Sequence, residues 1–148
     1  MSADDRPGEI LYSKRTLHRA AARGNVYEFS PGVADRRLID FPRPLADYPV
    51  MPTTPLVGFP ADWVESQQTI GNSTCAVLNF TTRTLSAPAD NPVVFNPDNK
   101  FGDDQKLLNI FYFCNYMHDF LYLIGFDEAA GNFQQITSPI LEWRTTQC

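Results

Sequence analysis

The stretch Gly102-Asp103-Asp104-Gln105-Lys106-Leu107-Leu108-Asn109-Ile110-Phe111-Tyr112-Phe113-Cys114-Asn115-Tyr116-Met117-His118-Asp119-Phe120-Leu121-Tyr122-Leu123-Ile124-Gly125 decides the architecture. Asp103 and Asp104 bring negative charge to the place where a helix leaves its amides free, and Gln105 stands three residues after Gly102, as half a capping box requires. Gly125 suits the left-handed position that closes a helix. The spacing therefore predicts one long helix near residues 103–124. Between Leu107 and Ile124 the clearly polar side chains are Asn109, Asn115, His118 and Asp119, so the helix is apolar almost all round and belongs in the middle of a fold. A membrane span competes for such a run. Adjacent His118 and Asp119 in its second half would be expensive in lipid, and no basic cluster flanks the stretch, so the membrane reading is set aside.

Side chains three and four apart share a helix face, which gathers Asn115, His118, Asp119 and Tyr122 into one polar cluster. The cluster could be a general acid/base pair, because histidine titrates near neutrality beside a carboxylate. It could equally be a hydrogen-bonded network that pins the helix to neighbouring loops. The second reading is favoured, since adjacent residues point roughly 100° apart and His118 and Asp119 need not bond each other. A zinc hydrolase needs three protein ligands and an open position, often from H-E-x-x-H plus a third group. The histidines are His18 and His118 alone, without that spacing. No G-x-S-x-G elbow, phosphate-binding glycine loop or dinucleotide fingerprint is present.

Outward from the helix, Ile10 to Ala22 is weakly periodic and gives way at Gly24-Asn25 to a strand-like run, Val26-Tyr27-Glu28-Phe29, closed by Ser30-Pro31-Gly32. Residues 41–60 hold Pro42, Pro44, Pro49, Pro52, Pro55 and Pro60, which predicts an extended wrap along the surface rather than helix or central strand. Its apolar residues, Phe41, Leu45, Tyr48 and Phe59 among them, are too many for a solvated tether. After the turn at Gly71-Asn72, Thr74 to Phe80 reads as a strand, and Pro92 to Phe95 as a shorter one.

Composition fits this picture. The chain has 148 residues, 43% hydrophobic and 20% charged, which suits one domain able to bury about 70% of its unfolded surface. A net charge of −5 argues against nucleic acid as partner, and the basic run from Lys14 to Arg23 reads as a solvated segment. Cys75, Cys114 and Cys148 are too few and scattered for a disulfide scaffold, and their pairing stays open. Cys114, inside the apolar helix, is expected to be a small buried core residue. The polar start, Met1 to Gly8, shows no secretory signal. Two N-x-S/T sequons, at Asn72 and Asn79, are possible N-glycosylation sites in a secretory compartment.

Taken together, Phe111-Tyr112, Asn115, His118-Asp119, Tyr122, Gly125-Phe126 and Glu128-Ala129-Ala130-Gly131-Asn132-Phe133-Gln134 closely resemble the hallmark F-Y-x-x-N-x-x-H-D-x-x-Y-x-x-G-F-x-E-A-A-G-N-F-Q of the fungalysin family of secreted zinc metalloendopeptidases. A looser likeness covers Asp62-Trp63-Val64 and Thr69 to Asn79. The resemblance implies an α+β fold: an incomplete thermolysin-like N-terminal lobe, β-rich and coil-rich, crossed by the long helix, the whole of 1–148 forming one partial domain. It implies Asn115, His118, Asp119, Tyr122, Gly125 and Asn132 as motif residues with a structural role. It supplies no catalytic or metal residue, because the family's zinc ligands come from H-E-x-x-H and a later glutamate, which this sequence lacks. Zinc is thus expected in the complete family protein and not on this chain. Protein or peptide substrates, an extracellular location and a further C-terminal lobe are likewise implied. From Ile136 to Cys148 the sequence departs from the family and resembles a truncation, a retained intron or a shifted frame. Family members are made with a signal peptide and a pro-segment, so the chain reads as an internal fragment, inactive alone. The alternative is a non-catalytic interaction or decoy protein that keeps one lobe of the protease. An independent hydrolase using His118 and Asp119 would lack a nameable nucleophile.

Overall fold

The computed structural model describes residues 22–50, 52, 59, 62–78 and 82–132. Three strands form one sheet in the order β2-β1-β3: β1 (Ala22–Val26) at the centre, β2 (Arg37–Phe41) and β3 (Val93–Phe95) at its sides. β2 runs antiparallel to β1, with Ala22 opposite Phe41 and Val26 opposite Arg37, and β3 runs parallel to it, with Ala22 beside Val93 and Gly24 beside Phe95. One long helix, α1 (Asp103–Leu123), packs against β1. The molecule is thus α+β, as the sequence predicts, with much of the described chain in coil.

The side chains explain the layering. Alternate residues Ala22, Gly24 and Val26 of β1 are buried. From the helix, Leu107, Leu108, Phe111 and Tyr112 meet Ala22, Val26, Ile39, Phe41, Trp63, Ala76 and Phe95 to form the core. Gly24 makes this contact possible. A Cβ at that position would collide with the Phe41 ring and press on Leu108, so only glycine lets strand, ring and helix approach this closely.

That packing corrects the expected strand Val26 to Phe29. Gly24 and Asn25 lie inside the strand rather than in a turn before it, and the strand ends at Val26. Beyond it the Tyr27 backbone is taken by a helix side chain: Tyr27 N donates to Asn109 Oδ1 at 3.2 Å, and Asn109 Nδ2 donates to the Tyr27 carbonyl at 2.8 Å. The expected strand at 74–80 is also absent among the described residues. Its backbone divides its bonds among several partners, with Ala76 N donating to Thr69 O and Leu78 N to Arg83 O, and an isolated bridge joins Ile70 to Cys75. The Pro92 to Phe95 strand is present as β3.

The helix boundaries agree with the sequence to within a residue. Its C-terminus is a Schellman motif: Gly125, at φ 102°, donates to the Tyr122 carbonyl, and Phe126 N donates to Leu121 O. Its N-terminus differs from expectation. Gln105 does not cap; it is buried, donates to the Asn25 carbonyl at 2.8 Å and accepts from Arg36 at 2.8 Å, tying the helix start to the sheet. The helix is covered on one side. On the other, Ile110 (56% exposed), Phe113 (42%), Met117 (47%) and Ile124 (47%) face outward. Cys114 lies on that outer face, exposed and free, which overturns its expected place in the core. No helix among the described residues is long and apolar enough to cross a membrane. The periodic run from Ile10 to Ala21, Asn79, most of 51–61 and the segment from Phe133 lie outside the described residues.

Candidate functional site

The polar cluster centres on Asp119. This carboxylate is almost fully buried, 3% exposed, and sits between the helix and two coil segments. Its Oδ2 accepts from Trp63 Nε1 at 2.8 Å and from the Tyr48 hydroxyl at 3.0 Å. Its Oδ1 lies 3.2 Å from His118 Nδ1. With the ring proton on Nδ1, His118 donates to Asp119, and its Nε2 is left to accept from Asn132 Nδ2 at 3.4 Å. A chain of polar contacts therefore runs from Tyr48 and Trp63 through Asp119 and His118 to Asn132.

Each member is positioned by local structure. Tyr48 comes from the proline-rich segment, where a single 3-10 turn (Leu45–Asp47) is anchored by Arg43. Arg43 donates to Glu28 at 2.6 Å, to the Tyr112 hydroxyl at 2.6 Å and to Asp47 at 3.1 Å. Burial would lower the pKa of this guanidinium; its bonds to Glu28, Tyr112 and Asp47 outweigh that and raise it. The Tyr48 ring stacks on Tyr116 at 5.1 Å, and burial, followed by the adjacent Asp119 charge, pushes its phenol well above the ordinary value. Tyr48 thus remains a hydrogen-bond donor across the physiological range. Trp63 is held against Phe41 at 5.2 Å, and the Trp63 carbonyl lies where a Cβ on residue 71 would be, so Gly71 is required for that approach.

Asn132 is delivered by the segment after the helix. Ala130 N donates to Asp127 O, Gly131 N to Glu128 O and Asn132 N to Asp127 O, and Gly131 adopts φ 82°. This tight turn returns the chain so that the Asn132 side chain meets His118.

Of the residues singled out from sequence, His118, Asp119 and Asn132 come together. Asn115 stands apart: its Nδ2 donates to the Phe111 carbonyl one turn back, at 2.8 Å. Its Oδ1 and that of Asn132 are buried without a hydrogen-bond partner among the described residues. Tyr122 stacks on Phe59 at 5.4 Å, and burial, then Glu128 and Asp127, raise its phenol pKa. Gly125 closes the helix. Asn72 lies in the turn between Gly71 and Thr74, whose N–H and carbonyl bond across it at 2.9 Å. His118 and Asp119 do touch, contrary to the argument from their 100° separation. Sequence reasoning missed Trp63 and Tyr48 as partners of Asp119; the likeness around Asp62-Trp63-Val64 was the signal available for the first.

A family profile described as fungalysin metallopeptidase (M36) matches residues 49–138, which is more than half of the chain. The chain belongs to the fungalysin family. A curated relative, extracellular metalloproteinase 4 of Arthroderma gypseum (strain ATCC MYA-4604 / CBS 118893), is 52% identical over 31 residues. That alignment covers 21% of this chain and 5% of the relative, so the chain spans a small part of the protein it matches. No solved structure matches.

Zinc, which the fungalysin resemblance implies, does not fit these residues. Among the described residues no group of three or more His, Cys, Asp and Glu side chains is placed to hold a metal ion. Both oxygens of Asp119 are already engaged by Trp63, Tyr48 and His118, and His118 has Asn132 at its other nitrogen. The arrangement is a buried carboxylate whose oxygens accept from Tyr48, Trp63 and the neighbouring His118, linking α1 to the segments that carry Tyr48, Trp63 and, through His118, Asn132.

Proposed function

We propose that this chain is one lobe of a secreted zinc metalloendopeptidase acting on proteins or peptides, and that it is inactive by itself. The observation that carries the reading is a fungalysin match over most of the chain in a sequence without H-E-x-x-H. In this reading the metal, its activated water and the general base come from a further lobe. The lobe described here supplies a wall, with Asn115, His118, Asp119, Tyr122, Gly125 and Asn132 holding the long helix in place. The outward apolar face of α1 supports this, since side chains such as Phe113 and Met117 gain from being covered. Cys75 is disulfide-bonded, which favours an oxidising, extracellular setting. Asn72 and Asn79 would there be candidate glycosylation sites.

A second reading is a non-catalytic interaction or decoy protein that keeps one lobe, against which the bare apolar face of α1 counts. A groove of about 630 Å³ lies beside Phe29, Phe101, Gln105 and Phe113, and a partner could occupy it. Casein hydrolysis separates protease chemistry from both inactive readings. The purified chain with added zinc is expected to leave casein intact, and hydrolysis abolished by a chelator would overturn the proposal.

A further inference from the structure

The contact between His118 and Asn132 is incomplete. Asn132 Nδ2 meets His118 Nε2 at 3.4 Å, long for a hydrogen bond, while Asn132 Oδ1 is buried and has no hydrogen-bond partner among the described residues. On the far side of the ring, His118 Nδ1 lies 3.2 Å from Asp119 Oδ1, and the other carboxylate oxygen is held by Trp63 and Tyr48. A protonated imidazole needs two acceptors, one at each nitrogen, and both are within reach. Asp119 Oδ1 is the first. Asn132 Oδ1 becomes the second after a half-turn about the Cβ–Cγ bond, a torsion that is broad and roughly two-fold.

We propose that His118 and Asn132 form a proton-operated latch between α1 and the turn at residues 127–132. Water reaches the ring through a groove of about 250 Å³ that His118 lines together with Thr74, Cys114, Met117 and Phe126. Once Nε2 takes a proton from water it can no longer accept from Nδ2, and the two N–H groups repel. The amide turns over, and Oδ1 accepts from Nε2–H in a charge-assisted bond. Nδ2 then takes the buried place that Oδ1 held, so one unmatched amide atom replaces another and the gain is the new bond. The groups that titrate around the ring are the Asp119 carboxylate bonded to it and the Cys114 thiol in the same groove. Tyr48 sits on the other oxygen of Asp119, and Asp127 and Glu128 begin the turn. Burial keeps the Cys114 thiol and the Tyr48 phenol protonated, so neither changes charge while the ring titrates. The extra bond exists only with the ring protonated. The hold on the turn is therefore full in acid and is lost as pH rises through the titration of the ring. The latch uses residues of this chain alone and does not depend on the reading of the molecule as a protease lobe.

Side-chain nitrogen NMR of the full chain, followed from about pH 8 down to about pH 5, reads the latch directly. As the His118 Nε2 signal moves from an acceptor to a protonated nitrogen, the Asn132 side-chain amide signals should move with it. The Overhauser contact between the Asn132 NH2 protons and the His118 ring should fall several-fold over the same range. Exchange protection of the Gly131 and Asn132 backbone amides, corrected for intrinsic rates, should be at least several-fold greater at about pH 5 than at about pH 8. In Asn132→Leu the ratio of the two protections should drop to about one. Should that variant lose its fold by circular dichroism, the Overhauser contact in the native chain decides alone. A ring that stays neutral down to about pH 5, an amide contact that survives protonation of the ring, or equal protection at both pH values would overturn the proposal.

Discussion

Asp119 is the residue on which the described structure turns most sharply, because donors from two coil segments and the neighbouring His118 of the same helix converge on one buried carboxylate. Removing a buried acceptor costs the desolvation of every donor left behind. Asp119→Leu should therefore destabilise the chain by about 3 kcal/mol or more, a fall in Tm of roughly 6–12 °C for a domain of this size. Asp119→Asn keeps one acceptor and should lose less. Asn115→Leu should cost about 1 kcal/mol, since it removes a single bond to the Phe111 carbonyl and also a buried oxygen that lacks a partner among the described residues. Thermal melts followed by circular dichroism check this ordering, and an unchanged Tm in Asp119→Leu would show the network to be dispensable. Sequence placed the cluster but not its wiring. The 100° rule treats side chains as spokes, whereas a carboxylate with two oxygens can accept from its neighbour with one while the other faces the coil. Tyr48 and Trp63 lie 71 and 56 positions away, and their convergence is a tertiary fact that helix periodicity cannot carry.

At the scale of elements, α1 was legible because several local signals agreed: acidic residues at its start, a long apolar run and a glycine at its end. The Schellman motif at Gly125 follows from that glycine directly. Gly125→Ala forces a Cβ into a left-handed conformation and should cost about 1 kcal/mol, seen as a Tm lower by roughly 2–4 °C. Ser at the same position should do no better, and a gain in Tm with alanine would mean that the helix does not end as described. The sheet was far less legible. Gly24-Asn25 has the composition of a turn, yet Gly24 serves the close approach of Phe41 and Leu108, a need created by residues distant in sequence. Gln105 likewise had a local role available as a cap. It instead bonds the backbone of β1, because burying it against Asn25 satisfies its amide within the fold. β2 carries mixed exposed and buried positions without a clean alternation, and its pairing with β1 supplies the order that its own sequence lacks.

At the scale of the whole molecule, the residues of the family motif that are described lie on the long helix and in the turn that follows it. The hallmark residues act locally on the structure, as Asp119 and His118 link segments, Gly125 ends the helix, and the Glu128 to Asn132 turn returns Asn132 to His118. None of them gathers into a metal site among the described residues. A run apolar on nearly every face leaves a bare patch wherever no neighbour covers it, and Ile110, Phe113 and Met117 of α1 stand exposed in that way. The central proposal is that these residues form a supporting lobe and that the zinc chemistry of the fungalysins lies elsewhere. Its most direct test is the zinc content of the purified chain after equilibration with zinc and removal of the excess, measured by elemental analysis. The account predicts a content far below one zinc per chain; one zinc bound per chain would contradict it.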